Sequence, residues 1–356
     1  MRFGFGVSLV CDDLAAFPGW VRTVDECGFD VIGLTDSPAL YPETYVTGVL
    51  AAQNTSRVRF GPRVTNPLTR HPIAAAAAVG SLDVLSGGRA LYGIGAGDSA
   101  AHTAGARPAR VADIEEYLLA VRGLLRGEEV VYRGTPLRMF TEPRSVPVYV
   151  AAAGPKMLRM AGRVADGVII GTGVIPEVVE HTLSLIREGA ESAGRSLSDL
   201  DLWWLCGARI AESRAEAEER MLTLSAALIN AHGQVTLGGK LIPDDVLPEA
   251  RYLVDHYDFD AHIKHASARS NADLLRSLPK LREHASRRYV IGGTPEECVA
   301  QIRAAGEAGA RQFWWTVSFP DKMEFVRRFA AEVMAPLRQP APEPAVPTAT
   351  TASTMD

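Results

Sequence analysis

The feature that most limits what this chain can fold into is a repeated alternation. Eight short apolar runs, at Arg2 to Leu9, Val31 to Thr35, Val58 to Thr65, Ala90 to Ile94, Val148 to Ala152, Gly167 to Gly171, Leu202 to Ile210 and Gln312 to Val317, alternate with helical patterns. Those patterns include Phe17 to Cys27, Tyr45 to Asn54, Ile73 to Leu85, Val111 to Leu125 and Lys156 to Val164. Strands separated by helices line up in parallel, with the helices packed outside. Eight such units predict a closed (β/α)8 barrel, an α/β fold, rather than an open sheet. The 356 residues could hold two average domains, but barrels of this kind commonly use the length for one.

The rhythm breaks between Ala231 and Tyr289, before the eighth strand, in a region containing GGKLIPDDVLP and HYDFDAHIKH. After it, IGGTPEE predicts a helix start, with Thr294 as cap, Pro295 at the first position and Glu297 completing a capping box. The barrel domain is expected over residues 1–337. Residues 338–356, dense in Pro, Thr and Ala, cannot bury enough surface to offset ordering and are expected to be disordered.

A net charge of -5 gives no excess of cations for nucleic acid, and none is expected as a partner. Cys11, Cys27, Cys206 and Cys298 lack C-x-x-C spacing and read as reduced thiols. Nothing at the N-terminus resembles a leader, and no apolar run reaches about 18 residues. A soluble cytoplasmic protein that does not engage membranes is the expectation.

Active sites of βα barrels form at the C-terminal ends of the strands. The residues there are Ser8, Thr35 to Ser37, Val64 to Asn66, Gly95 to Asp98, Ala153 to Pro155 and Gly171 to Gly173. They are mostly small, polar or glycine, a wall that suits a flat tricyclic ring with a phosphate tail. GIGAGD resembles a dinucleotide loop only in part, because Asp98 stands where the third glycine of G-x-G-x-x-G belongs. In AAAGPKMLRMAG, a glycine and a proline mark the change from strand to helix. The free N–H groups of a helix start form a ready phosphate site. Gly154 would allow close approach, Lys156 could supply charge, and GTG at 171–173 would close the other side. A Gly-Pro turn chosen only for its geometry is the alternative.

Two segments carry a family resemblance: GPRVTNPLTRHP (Gly61 to Pro72) and GGRALYGIGAGD (Gly87 to Asp98). They resemble the luciferase-like flavin and deazaflavin oxidoreductases, most closely the methylenetetrahydromethanopterin reductase branch, whose segments read nearly TNPYTRHP and GIGPGD. The resemblance runs from the first strand to about Met334. It implies coenzyme F420 as cofactor, with FMN as the alternative. The expected cofactor wall is Ser37, Arg63, Val64, Thr65, Asn66, Gly95, Ala96, Gly97, Ala153, Gly154, Pro155, Lys156, Met157, Gly171, Thr172 and Gly173. The deazaflavin branch carries a non-prolyl cis peptide behind the ring, which maps to Arg63–Val64; an ordinary trans strand end is the alternative.

Family members place an aspartate near the reactive edge, which maps to Asp36, while Asp98 matches the last residue of the reductase motif. Both are expected to be catalytic, with helix capping as the competing role. Many relatives follow the first aspartate with His. Ser37 stands here instead, which favours direct hydride transfer or a proton supplied elsewhere. The 231–289 insertion is expected over the barrel mouth, with Ser8 and His262 as substrate contacts. His71, just before Pro72, suits a structural hydrogen bond. His256, His262 and His265 lack a recognised ligand set, so no metal is expected. Trp203, Trp204, Trp314 and Trp315 should alternate between barrel interior and helix layer.

The leading expectation is an oxidoreductase passing a hydride between F420 and a small organic substrate. An FMN-dependent monooxygenase using dioxygen is the alternative, and a non-catalytic ligand-binding barrel a third reading. Family members are usually homodimers or homotetramers, and the same is expected of this chain.

Overall fold

A computed structural model describes residues 2–233, 236–259 and 271–338. His262, His265 and the chain beyond Arg338 lie outside the described residues. The strands are β1 (Gly4–Leu9), β2 (Val31–Leu34), β3 (Arg59–Pro62), β4 (Tyr92–Ile94), β5 (Val130–Tyr132), β6 (Thr135–Leu137), β7 (Val148–Ala152), β8 (Gly167–Ile170), β9 (Asp201–Ile210), β10 (Val290–Gly293) and β11 (Gln312–Val317).

Eight of them form one parallel path, β3-β2-β1-β11-β9-β8-β7-β4. Bridges from Phe60 to Ala90 and from Thr65 to Ile94 join its two ends, so the sheet returns on itself as a (β/α)8 barrel. Every strand expected from the sequence is present within a few residues of its expected bounds. The β5–β6 hairpin and β10 are additions that the sequence pattern did not signal. β5 and β6 carry exposed Thr135 and Pro136, and β10 follows directly on a helix, so neither the hairpin nor β10 shows as an apolar run within the strand-helix alternation. β10 pairs with β9, off this path. The middle of β9 pairs with β11 at Trp204 to Cys206, and its end pairs with β10 at Gly207 to Ile210.

Both faces of these strands are covered, which is why they read as continuous apolar runs. Val31, Leu91, Tyr149, Ile169, Trp203 and Trp314 fill the interior, while Trp204 and Trp315 face the helix layer. The tryptophan pairs alternate as expected, and the Trp203 and Trp314 rings meet edge to face at 5.6 Å. The N-terminal end of the barrel is closed by polar groups. Arg59 donates to Tyr149 Oη at 2.9 Å and to Asp201 Oδ2 at 3.0 Å, Tyr149 donates to Asp201 Oδ2 at 2.6 Å, and Gln312 donates to Asp201 Oδ1.

Helix boundaries follow local chemistry. Helix Pro72–Ser86 starts at a proline, with His71 Nδ1 accepting from Ile73 N at 3.4 Å, and ends at Gly87 in the left-handed region. Thr294 and Glu297 form the expected capping box. After β9, helices Leu222–Gly233, Leu247–Asp255, Asn271–Arg276 and Pro279–Tyr289 build a second core around Leu222, Ala226, Ile229, Leu253, Leu275 and Leu281. The first of these helices begins upstream of Ala231. All four cysteines are unpaired. Among the described residues, no helix is long and apolar enough to cross a membrane.

Candidate active site

A cleft of about 350 Å³ opens at the C-terminal ends of the barrel strands. Arg63 and Val64 line it after β3, Gly95 to Asp98 after β4, Ala151 to Ala153 on β7 and its end, and Ile169 and Gly171 on β8 and its end. Leu205 of β9 adds an apolar side chain, and Pro108, Leu228, Ala231 and His232 complete the lining. Of the residues expected at the site, the structure thus brings together Arg63, Val64, Gly95, Ala96, Gly97, Asp98, Ala153 and Gly171. The Arg63–Val64 peptide is cis, as the resemblance implied.

The remaining described candidates are not among the residues that line this cleft. Thr65 knits β3 to β4: its N–H donates to Gly93 O at 2.9 Å, and its carbonyl accepts from Gly95 N at 2.9 Å. Asn66 Oδ1 accepts from Leu68 N and Thr69 N, holding the next turn. Ser37 Oγ and Ser99 Oγ share a hydrogen bond of 2.7 Å. Ser8 Oγ accepts from Arg63 Nε inside the barrel.

The two candidate carboxylates have different surroundings. Asp36 is buried, and its Oδ2 accepts from Arg70 Nη1 at 2.6 Å; Arg70 also donates to Glu43 at 2.5 Å and covers the Tyr45 ring. Asp98 lines the cleft. It occupies the cap position of helix Ser99–Thr103, yet its side chain makes no capping hydrogen bond. Burial, reinforced by the Asp98 carboxylate, pushes the phenol of Tyr257 above its ordinary pKa. Phe259, two residues on, stacks on His102 with centroids 4.5 Å apart. The described part of YDFDAHIKH therefore packs beside Asp98.

Helix Pro155–Val164 presents the expected open start. Pro155 has no N–H, no side chain caps the helix, and its first hydrogen bond runs from Leu158 N to Gly154 O, so Lys156 and Met157 have no acceptor within the helix. A Cβ placed on Gly154 would meet only Lys240 Cε, at 3.7 Å, and one on Gly171 only Ala153 Cβ, at 3.7 Å. Both glycines border open space that an anion could fill. Lys156 is exposed, whereas Lys240 is buried, and burial followed by the charge of Arg288 pulls its pKa down to about 8. Thr172 and Gly173 serve a different neighbour: Arg288 Nε donates to Thr172 O at 2.6 Å, and the Arg288 side chain packs on Gly173. The other Arg288 nitrogens donate to Lys240 O at 2.7 Å and Leu241 O at 2.9 Å, tying this loop to the 240–241 segment.

His232 was not legible as a site residue in the sequence. Its Nδ1 shares a hydrogen bond with Tyr289 Oη, its carbonyl accepts from Lys240 Nζ, and its buried Nε2 makes no well-formed hydrogen bond among the described residues, with the Ala153 backbone nearby. Burial, then the charges of Arg288 and Lys240, hold the imidazole neutral. The Gly238-Gly239 pair before Lys240 is the one sequence signal that a backbone turn delivers this lysine inward.

An apolar cleft at the strand ends is bordered by open glycines, an uncapped helix start and a buried lysine, groups that could hold an anion. The luciferase-like monooxygenase family model matches residues 3–312, and the chain belongs to that family. It is 29% identical over 318 residues to the 5,10-methylenetetrahydromethanopterin reductase of Methanolobus tindarius, covering 86% of this chain and 92% of the relative. It is 28% identical over 334 residues to the F420-dependent glucose-6-phosphate dehydrogenase of Beutenbergia cavernae, covering 88% of this chain and 90% of the relative. The solved coenzyme F420-dependent tetrahydromethanopterin reductase of Methanopyrus kandleri superposes with a TM-score of 0.74 at 25% identity, over 95% of this chain and all of that one. The protein is therefore an enzyme of the luciferase-like family.

Proposed function

We propose that the protein is an oxidoreductase that moves a hydride between coenzyme F420 and a small organic substrate. The observation that carries this reading is the open cradle at Gly154 and Gly171 beside the apolar cleft, in a chain whose full-length relatives include F420-dependent enzymes. Each residue then has a task. The N–H groups of Lys156 and Met157 hold the anionic tail, with Lys240 adding charge. Val64, Ala151, Ile169 and Leu205 exclude water from the ring. When bound, F420 supplies a ring carbon that gives or takes the hydride. Asp98, at the mouth, orients the substrate, and Asp36 fixes the loop after β2 through Arg70. Neutral His232 offers a ring nitrogen at the cleft wall.

FMN-dependent monooxygenase chemistry is the second reading, supported by the name of the matching family. The two separate cleanly, because deazaflavin carries carbon in place of the flavin nitrogen that reacts with oxygen. Protein purified from an F420-producing host is expected to carry a cofactor with the mass and absorbance of F420, and its reduced form should consume no dioxygen. Copurified FMN with substrate-dependent oxygen uptake would overturn the proposal.

A further inference from the structure

Arg63 is the only guanidinium or ammonium group among the described residues that line the cleft. Its side chain runs back into the barrel, which requires Gly33: a Cβ there would collide with Ser8 Oγ and fall 2.8 Å from Arg63 Cβ. Inside, Nε donates to Ser8 Oγ, Nη2 donates to Thr316 Oγ1, and the guanidinium carbon lies 5.6 Å from the centre of the Trp314 ring. All three partners are neutral. Burial alone lowers the Arg63 pKa, to about 10. Other shielded arginines are compensated differently: Arg70 pairs with Asp36 and Glu43, Arg209 pairs with Asp321, and Arg288 donates to three carbonyls. Among the described residues, no carboxylate pairs with Arg63.

A guanidinium carries five N–H donors in a planar fork. Nε and the adjacent hydrogen of Nη2 form its side edge, which the two hydroxyls occupy. Nη1 donates to no described residue, so the end edge, Nη1 with the second Nη2 hydrogen, is unused. That edge matches the two oxygens of a carboxylate. A half-buried cation without a counter-ion costs stability and is the kind of group that a ligand completes. Val64, Ala151, Ile169 and Leu205 line the same cleft with apolar side chains, and Asp98 there disfavours a doubly charged ligand.

We propose that Arg63 determines substrate specificity and that the substrate is an organic carboxylate, its charged end seated on the free edge of the guanidinium. The proposal rests on the cleft being the active site of the oxidoreductase described above. Its probe is a planar pair of equal shape, benzoate and benzamide, titrated calorimetrically into the protein loaded with F420.

Benzoate is expected to bind at least tenfold more tightly than benzamide. Arg63→Gln should abolish that ratio, and Arg63→Lys should keep only part of it, since the charge remains but the fork is lost. Equal affinities in the parent protein, or an undiminished ratio in Arg63→Gln, overturn the proposal. So does an Arg63→Gln variant that weakens only reduced F420, because the anion would then be the cofactor's own. Arg63→Met removes a half-buried cation with no counter-ion among the described residues and is expected to unfold at the parent's temperature or higher. A lower temperature would mark Arg63 as a structural brace and sink the idea. F420 affinity is read separately from its fluorescence: failure of the parent to bind F420 refutes the cofactor reading, while the benzoate ratio in cofactor-free protein still judges Arg63.

Discussion

Replacing Gly154 with valine isolates the cofactor cradle from the stability of the fold. Gly154 sits at φ -103° and ψ 154°, extended backbone that a β-branched residue adopts readily. A Cβ there meets nothing closer than Lys240 Cε at 3.7 Å, so the protein itself has room for it. Removing a glycine also lowers the entropy of the unfolded chain, an effect worth about 0.4 to 1 kcal/mol. Stability should therefore be unchanged or slightly raised. Binding should suffer, because the added methyls occupy the space through which an anion reaches the N–H groups of Lys156 and Met157. Each hydrogen bond to a charged group is worth about 1.5 to 3 kcal/mol. Loss of both amounts to about 3 to 6 kcal/mol, roughly a hundred- to ten-thousand-fold in affinity. Titration of apoprotein with F420, followed by its fluorescence, measures this directly, with thermal unfolding as the control. An affinity within about threefold of the parent, in a protein of normal melting temperature, would place the anionic tail elsewhere.

The other expectations are more compact. Asp36→Ala leaves Arg70 without its buried partner, although Glu43 remains, so a loss of about 3 kcal/mol in urea unfolding is expected; a loss below about 1 kcal/mol would show that the pair does not hold the loop. Asp98→Asn should slow single-turnover hydride transfer by about tenfold or more while F420 affinity is kept, since a charge-assisted contact worth about 1.5 to 3 kcal/mol is weakened; unchanged transfer would reduce Asp98 to a lining residue. For Asp201, burial raises the pKa, but donation from Tyr149 and Gln312 and the charge of Arg59 outweigh it, and the net shift is downward. Its ionised form thus contributes stability above the ordinary carboxyl pKa of about 4, and that contribution is lost as pH falls toward the lower folded value. The urea midpoint should decline below about pH 4, and Asp201→Asn should flatten the decline; a parent-like slope in the variant would contradict the assignment.

What the sequence determined by itself was the barrel and the positions where its ligand-facing residues begin. Hydrophobic periodicity and cap chemistry are local, so runs such as VIGL and the Thr294–Glu297 box carry their structure in a few neighbouring residues. Once the barrel follows, the ends of its strands are fixed, which is why Arg63, Val64, Gly95 to Asp98, Ala153 and Gly171 could be expected at one cleft from the sequence. The partners those residues take were decided by the tertiary structure. Asp36 meets an arginine 34 residues away, and Arg63 meets hydroxyls 55 and 253 residues away, so nothing in the neighbouring sequence foretells which partner a carboxylate or a guanidinium takes. His232, Lys240 and Arg288 belong to the region where the strand-helix rhythm stops. Their side chains reach the barrel because separate helices pack a second core there, and that packing depends on which apolar faces meet across long stretches of chain, information that no local pattern holds.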